Sequence, residues 1–243
     1  MKLTTVGKLT QITFMPRLFP VNCYLVEEER DLTLIDAALP YSVRGILEAA
    51  RRIGKPIGRI VLTHAHDDHI GALDGLKRVL PDAEVLISVR DAKLLAGDTS
   101  LLPGEPDTPL RGGLPKGVRT KPDRLLQEGD SVGSLQAYAV PGHTPGSMAF
   151  LDTRTGALIA GDAFQTRGGI AVSGRVKPLF PFPALATWSK TEALASGRKL
   201  LRLAPSLLAV GHGRLLAEPA AVMERAVGEL ERLLAGGRAA ERV

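Results

Sequence analysis

Three of the five histidines fall within six residues, in Thr63-His-Ala-His-Asp-Asp-His69, and this run constrains the fold more than any other feature of the chain. It follows Arg59–Leu62, a short apolar segment that reads as a buried strand. The other two histidines have the same setting. His143 lies in Val140-Pro-Gly-His-Thr-Pro-Gly146 after the strand-like Leu135–Val140, and His212 lies in Val210-Gly-His-Gly213 after Leu207–Val210. Asp162 follows Leu158-Ile-Ala-Gly161 in the same way. Loops at strand ends carry function when a rigid sheet brings them together. The fold must therefore bring several strand ends to one edge.

The spacing has a chemical meaning. Two histidines separated by one residue point to the same side of an extended segment, so His64 and His66 can share one metal ion. If the chain then turns into a helix, Asp68 and His69 swing to an adjacent position. One pair serves one metal and the next pair a second. Imidazole nitrogen with carboxylate oxygen suits zinc best, with iron and manganese as alternatives. Cys23 is the one cysteine, so a four-cysteine structural site is excluded, and it reads as a buried small residue.

Around these motifs the N-terminal third alternates strands and turns. Gln11–Phe14, Asn22–Glu27 and Leu32–Asp36 read as strands, with Glu28–Asp31 as a charged hairpin turn. Ser42–Ile53 reads as a helix capped by Ser42 and closed by Gly54, and His69–Leu80 as a second with one apolar face, stopped by Pro81. Glu84–Ser88 is a further strand and Asp91–Ala96 a short helix. Leu125–Gln127, Leu135–Val140, Ser147–Asp152 and Ala157–Ala160 return to strands. Thr187–Leu203 and Pro219–Leu234 read as helices on either side of the strand Leu207–Val210. Gly97–Pro122 and Phe164–Pro183 carry no clear period. Loops this long are expected to be binding loops or lids. No composition break divides residues 1–243, so a single domain is expected.

Composition excludes several classes. The chain of 243 residues is 44% hydrophobic and 23% charged, which is average for a globular protein and rules out disordered, collagen-like and coiled-coil classes. Its apolar runs are far short of the roughly 20 residues that span a bilayer, and MKLTTVGKLT lacks the apolar core of a signal peptide. A cytoplasmic protein without membrane contact is the expectation. Net charge is +5 and the pI about 9.5, which leaves an anionic substrate open. The densest basic stretch, Arg111, Lys116, Arg119, Lys121 and Arg124, has no aromatics to stack on bases, which argues against a nucleic-acid module. A homo-oligomer stays open.

Thr63-His-Ala-His-Asp-Asp-His69 resembles the His-x-His-x-Asp-His signature of the metallo-β-lactamase superfamily, and His143, Asp162 and His212 match the later positions of that pattern in order. The resemblance runs from Asn22–Glu27 to Gly211-His-Gly213. It implies an αββα sandwich of two mixed β-sheets with flanking helices. It also implies that His64, His66 and His143 hold one metal, that Asp68, His69 and His212 hold a second, and that Asp162 bridges them. The implied activity is that of a dinuclear metal-dependent hydrolase with two zinc ions per chain. A hydroxide shared by the ions would cleave an ester, lactone, thioester or related bond of a small molecule, with Asp68 orienting it or carrying its proton. Two other readings are an iron-dependent oxidation like that of the persulfide dioxygenases and a phosphodiesterase or nuclease activity.

Within the superfamily the ligand set is similar to that of glyoxalase II, but the residues after His212 suffice for one helix and not for that enzyme's helical C-terminal domain. The chain also resembles the quorum-quenching lactonases, whose tyrosine three residues after the bridging aspartate is Gln165 here. Phe164, Phe180, Phe182 and Trp188 follow Asp162 and are expected to line the approach to the metals, with Arg167, Arg175 or Lys177 steering an anionic group. Asp67 reads as a helix N-terminal acid with no metal contact. Thr63 reads either as plain strand or as a hydrogen-bond partner of a ligand.

Overall fold

A computed structural model describes residues 1–240, with side chains to residue 237. Seven strands form the first sheet in sequence order: β1 (Lys2–Val6), β2 (Leu9–Phe14), β3 (Val21–Glu27), β4 (Leu32–Ile35), β5 (Ile57–Val61), β6 (Glu84–Ser88) and β7 (Arg124–Leu126). It is antiparallel from β1 to β4 and parallel from β4 to β7. The second sheet contains β8 (Ser131–Val132), β9 (Leu135–Ala139), β10 (Met148–Asp152) and β11 (Ala157–Ile159). After a small hairpin of β12 (Phe164–Gln165) and β13 (Ala171–Val172), it is completed by β14 (Leu207–Ala209) and β15 (Leu216–Ala217). Its spatial order is β15-β14-β11-β10-β9-β8.

Period-two alternation sorts the strand residues into layers. Along β3, Val21, Cys23 and Leu25 face an outer core shared with helices α1 (Val43–Ile53), α2 (Asp67–Ile70), α3 (Leu73–Val79) and α4 (Val89–Leu95). Tyr24 and Val26 face the second sheet instead. Along β10, Met148 and Phe150 fill the space between the sheets, whereas Ala149 and Leu151 face the opposite outer layer. That layer is built on α6 (Lys190–Arg202) and α7 (Ala220–Ala240), which follow the one-turn α5 (Phe182–Leu185). The result is helix, sheet, sheet, helix. Each large side chain buried this way contributes about 1.5–3 kcal/mol, and Phe150 and Tyr24 at the sheet interface are almost fully enclosed. No helix among the described residues is long and apolar enough to cross a membrane.

Several local expectations need correction. The helix expected over His69–Leu80 is two pieces, α2 and α3, broken at Gly71 and Ala72. There the Gly71 amide donates to Ala38 O at 2.8 Å, and a Cβ at Gly71 would stand 2.7 Å from that oxygen. The break lets the chain press against the segment after β4. Ser42 does not cap α1 with its side chain; its hydroxyl accepts from Leu39 N at 3.2 Å. Gly54 closes α1 as expected, in the left-handed region at φ 86°. Helix α6 begins at Lys190, capped by the Ser189 hydroxyl, which accepts from Glu192 N, while the Thr187 hydroxyl donates to Pro183 O. The stretch 164–183 is not wholly irregular, since it contains β12, β13 and the start of α5. Strand β1 has no strong apolar run, and its pairing with β2 makes it a strand.

Strand direction decides where the site falls. β9 and β11 both pair antiparallel with β10, and β11 runs parallel to β14. The C-terminal ends of β9, β11 and β14 therefore emerge at one edge, carrying His143, Asp162 and His212 in the loops that follow. β4 and β5 are likewise parallel, and their ends lead into Asp36 and the His64–His69 run.

Candidate metal centre

The five histidines and two of the aspartates meet at this edge. All five imidazoles and Asp162 are buried. His64, His66 and His143 form one cluster of converging ligand atoms, and Asp68, His69 and His212 form another. Asp162 lies between them. Its Oδ2 is 3.3 Å from His143 Nε2 and 3.2 Å from His212 Nε2, and its Oδ1 is 3.5 Å from His69 Nε2. Asp68 Oδ2 is 3.3 Å from His212 Nε2.

The outward-facing ring nitrogens set the tautomers. A carbonyl oxygen can only accept, so His66 donates from Nε2 to Arg111 O at 2.8 Å and His212 donates from Nδ1 to Pro20 O at 2.8 Å. His69 donates from Nδ1 to Asp36 Oδ2 at 2.8 Å. The Thr63 hydroxyl donates to Asp36 Oδ2, so its oxygen accepts from His64 Nδ1 at 3.0 Å. Four rings thus spend one N–H on the surrounding protein and turn the other nitrogen inward. His66 Nδ1 and His143 Nε2 face each other at 2.9 Å. His64 Nε2, His69 Nε2 and Asp162 Oδ1 are buried with no hydrogen-bond partner, as is His143 Nδ1. Buried polar atoms crowded together without partners are costly, and a metal cation is what such a set of nitrogens and carboxylate oxygens accommodates. The all-nitrogen and carboxylate donor set fits zinc, iron or manganese.

The two halves differ electrostatically. Burial and the neighbouring imidazoles hold His64 well below the usual imidazole range, and burial takes His143 down to about 3 against the pull of Asp162. Burial also disfavours charge on His212, but the carboxylates of Asp162 and Asp68 outweigh it and lift the ring to about 10. His69 rises well above its ordinary value, as Asp36, Asp162 and Asp68 overcome its burial. Burial would raise the carboxyls of Asp68 and Asp162, yet His69 and His212 hold both below the ordinary carboxylate range. One half is a neutral triple-imidazole nest and the other a charged carboxylate–imidazole pair.

Two further aspartates support the cluster, and the sequence reading missed both. Asp36 sits at the end of β4 with φ 63°, in the left-handed region that an aspartate tolerates better than most residues. Besides His69 and the Thr63 hydroxyl, it accepts from Thr63 N at 2.7 Å. It follows a strand end as the ligands do, and that was the available signal. Asp91, fully buried, accepts from Ala65 N at 3.0 Å, from the Thr144 hydroxyl at 2.8 Å and from Gly146 N at 2.8 Å. It ties the His64–His66 segment to the His143 loop, and burial raises its carboxyl.

A cavity of about 410 Å³ opens onto the cluster. His66, Asp68, His143, Asp162 and His212 form its floor, and Phe19, Phe182, Leu185, Gly112 and Gly113 line the rest. The long 97–122 stretch therefore borders the site, and it also supplies the Arg111 carbonyl to His66. Of the aromatics expected to line the approach, Phe182 does so and is half exposed. Phe180 is buried behind it, 5.2 Å from the Phe182 ring and 5.4 Å from that of His212. Phe164 and Trp188 do not line the cavity. Phe164 packs in the outer core with α6 and α7, and Trp188 is buried with its indole N–H donated to Thr108 O at 3.0 Å. Apolar matching to a helical layer and a carbonyl partner decided those two positions. Phe19 was missed; it sits in a Pro-flanked loop, and its ring is 5.2 Å from His212.

The expected steering cations also divide. Arg175 and Lys177 both pair with Glu229 of α7, at 3.5 and 2.7 Å, and neither lines the cavity. Arg167 borders a separate cleft. The Gln165 side chain is buried and donates to Arg167 O and Phe180 O, so it holds the loop and stays off the cavity. Asp67 stands at the cavity rim, where partial burial and Asp68 raise its carboxyl. Cys23 is a core residue whose thiol burial pushes up.

An αββα sandwich whose strand ends carry a histidine–aspartate cluster of this order defines a class of metal-binding proteins. The chain belongs to the metallo-β-lactamase superfamily, whose profile matches residues 16–212. It is 59% identical to the uncharacterized protein YobT of Bacillus subtilis (strain 168), over 93% of this chain and 97% of that one. It is 32% identical to the probable metallo-hydrolase YflN of the same organism, over 79% of this chain and 80% of YflN. Among solved structures, TTHA1623 in a di-iron-bound form superposes with a TM-score of 0.63 at 28% identity, covering 89% of this chain and 97% of that one.

Proposed function

We propose that the chain is a hydrolase that holds two metal ions and cleaves an ester, lactone, thioester or related bond of a small molecule. The observation that carries this reading is the convergence of buried imidazole nitrogens and carboxylate oxygens on one point. The outer N–H groups of His64, His66, His69 and His212 are engaged by Thr63, Arg111, Asp36 and Pro20, while the opposite nitrogens turn inward, those of His64 and His69 without any hydrogen-bond partner. His64, His66 and His143 would hold one ion, Asp68, His69 and His212 the other, and Asp162 would contact both. When bound, such a pair lowers the pKa of water to about 7 and polarises a carbonyl oxygen.

The chain's own residues supply the rest. Phe19, Phe182 and Leu185 give the substrate an apolar wall and exclude water from it. At Gly112 a Cβ would press on His66, so the glycine lets the loop sit against that ring. The Asp68 carboxylate, at the cavity floor, would orient the attacking water or carry its proton to the departing oxygen, nitrogen or sulfur. The family membership and the 32% identity to a probable metallo-hydrolase support the class of reaction.

The test is metal analysis of the purified chain followed by a panel of lactones, thioesters, β-lactams and phosphodiesters. Two ions per chain and turnover of one ester-like class, both abolished by a chelator, are expected. A chain that takes up one ion or none with zinc and iron in excess sinks the two-metal reading. The di-iron form of TTHA1623 supports iron as the alternative to zinc, and the same elemental analysis separates them.

A further inference from the structure

A second cleft, of about 220 Å³, lies directly behind the His212 loop. Lys2, Arg167 and Arg214 line it together with Thr13 and Thr166, and no carboxylate does. None of the three cations takes part in an ion pair among the described residues, in contrast to Arg175 and Lys177 of the same irregular stretch, which share Glu229. Like charges gathered around one hollow repel, and an anion in the hollow removes that repulsion. Arg167 is also held in place. Its Nη2 donates to Arg17 O at 2.6 Å, and its amide donates to His212 O at 3.1 Å. A cation fixed before the ligand arrives loses little entropy on binding.

The cleft and the metal-centre cavity share a thin wall. Phe19 lines the cavity and Pro20 the cleft; His212 lines the cavity and Gly213 the cleft. Gly168, at the cleft, packs on Phe180, whose ring touches the cavity-lining Phe182. A molecule lying over the Phe19–Pro20 ridge would reach both spaces. The cavity side is apolar and ends on the histidine–aspartate floor, and the cleft side is cationic. The fork of an arginine and the point charge of a lysine together suit phosphate oxygens.

We infer that the Lys2–Arg167–Arg214 cleft binds a phosphate group on the leaving-group side of the substrate, so that the hydrolysed bond belongs to a phosphorylated ester or thioester. This rests on the hydrolase reading above. In the reaction water adds to the carbonyl carbon, the C–O or C–S bond breaks, and the products are a carboxylic acid and a phosphate-bearing alcohol or thiol.

Two experiments test the inference. The first is calorimetric titration of the chelator-treated chain with inorganic pyrophosphate, so that no bound metal can take the anion. The parent chain should bind it, and the double variant Lys2→Gln/Arg214→Gln should bind at least about tenfold more weakly, with the affinity falling as salt rises. No binding by the parent chain, or equal binding by the variant, overturns the cleft. The second experiment compares KM for two thioesters that differ only in one phosphate, acetyl-pantetheine 4′-phosphate and acetyl-pantetheine, with the metal-loaded chain. The phosphorylated compound should have a KM about tenfold lower, and that ratio should collapse toward one in the double variant. Pyrophosphate binding without a KM advantage would make the cleft a site for a free anion and overturn its assignment to substrate. Turnover of neither thioester would count against the hydrolase reading, while the titration would still judge the cleft.

Discussion

Asp36 and His69 are 33 positions apart in the chain, and the Asp36 carboxylate accepts the His69 Nδ1–H at 2.8 Å, both groups almost completely buried. The same carboxylate oxygen holds the Thr63 hydroxyl that positions His64. One aspartate outside the histidine motif thus orients a ring in each half of the centre.

Asp36→Asn keeps a residue that tolerates the left-handed backbone while removing the charge. Outer partners of ligand histidines typically contribute about 10–100-fold to metal affinity. A loss of that size is expected, read by competition with a chromogenic chelator. Unchanged affinity would show that the inward atoms alone set it.

Asp162 and Asp67 should separate cleanly. Asp162→Ala removes the carboxylate placed between the two clusters and should leave the purified chain short of metal and inactive. Asp67→Ala should be mild, since Asp67 is at the rim. Equal metal loss in both variants would mean that the ligands are wrongly placed.

Asp91 touches no inward atom of the cluster, so its removal should register as stability. Asp91→Ala leaves Ala65 N and Gly146 N without their acceptor, at about 1–3 kcal/mol for each donor left unsatisfied, while the Thr144 hydroxyl keeps Ser147 Oγ at 2.7 Å. Chemical unfolding of the metal-free chain should show a loss of at least about 2 kcal/mol, the lower end of that range for two donors. A loss under about 1 kcal/mol would mean that the loops reach one another without it.

The aromatics give opposite signatures. Phe182→Ala trims the cavity wall and should raise KM with little effect on melting. Phe164→Ala empties a core position and should cost about 3–5 kcal/mol, with KM of the surviving folded enzyme unchanged. A reversed pattern in the two variants would return Phe164 to the substrate wall.

Gly112 has φ 95°, and a Cβ there would stand 2.7 Å from His66 Cε1 and Nε2. Gly112→Ala should displace either the loop or the ring and weaken metal retention about tenfold or more, within the range seen when a ligand's outer partner is lost. Metal content matching the parent chain, measured after dialysis, would show that the loop yields without moving His66.

The sequence by itself marked the candidate ligands. His64, His143, Asp162 and His212 are legible because each follows a short apolar strand, and His66, Asp68 and His69 because spacing is local: residues two apart share a face of an extended segment whatever surrounds them. The same locality made most strands readable, and Gly54 as the end of α1. What surrounds that cluster was decided by the tertiary structure. Asp36, Asp91, the Arg111 carbonyl and Phe19 act through contacts made when strands far apart in sequence come to one edge, and no local period records that. The break at Gly71, the pairing of Arg175 and Lys177 with Glu229, and the split of Phe182 from Phe164 and Trp188 have the same origin. An aromatic or a cation has no intrinsic preference for a cavity over a core or an ion pair, and only the packed neighbours choose between them.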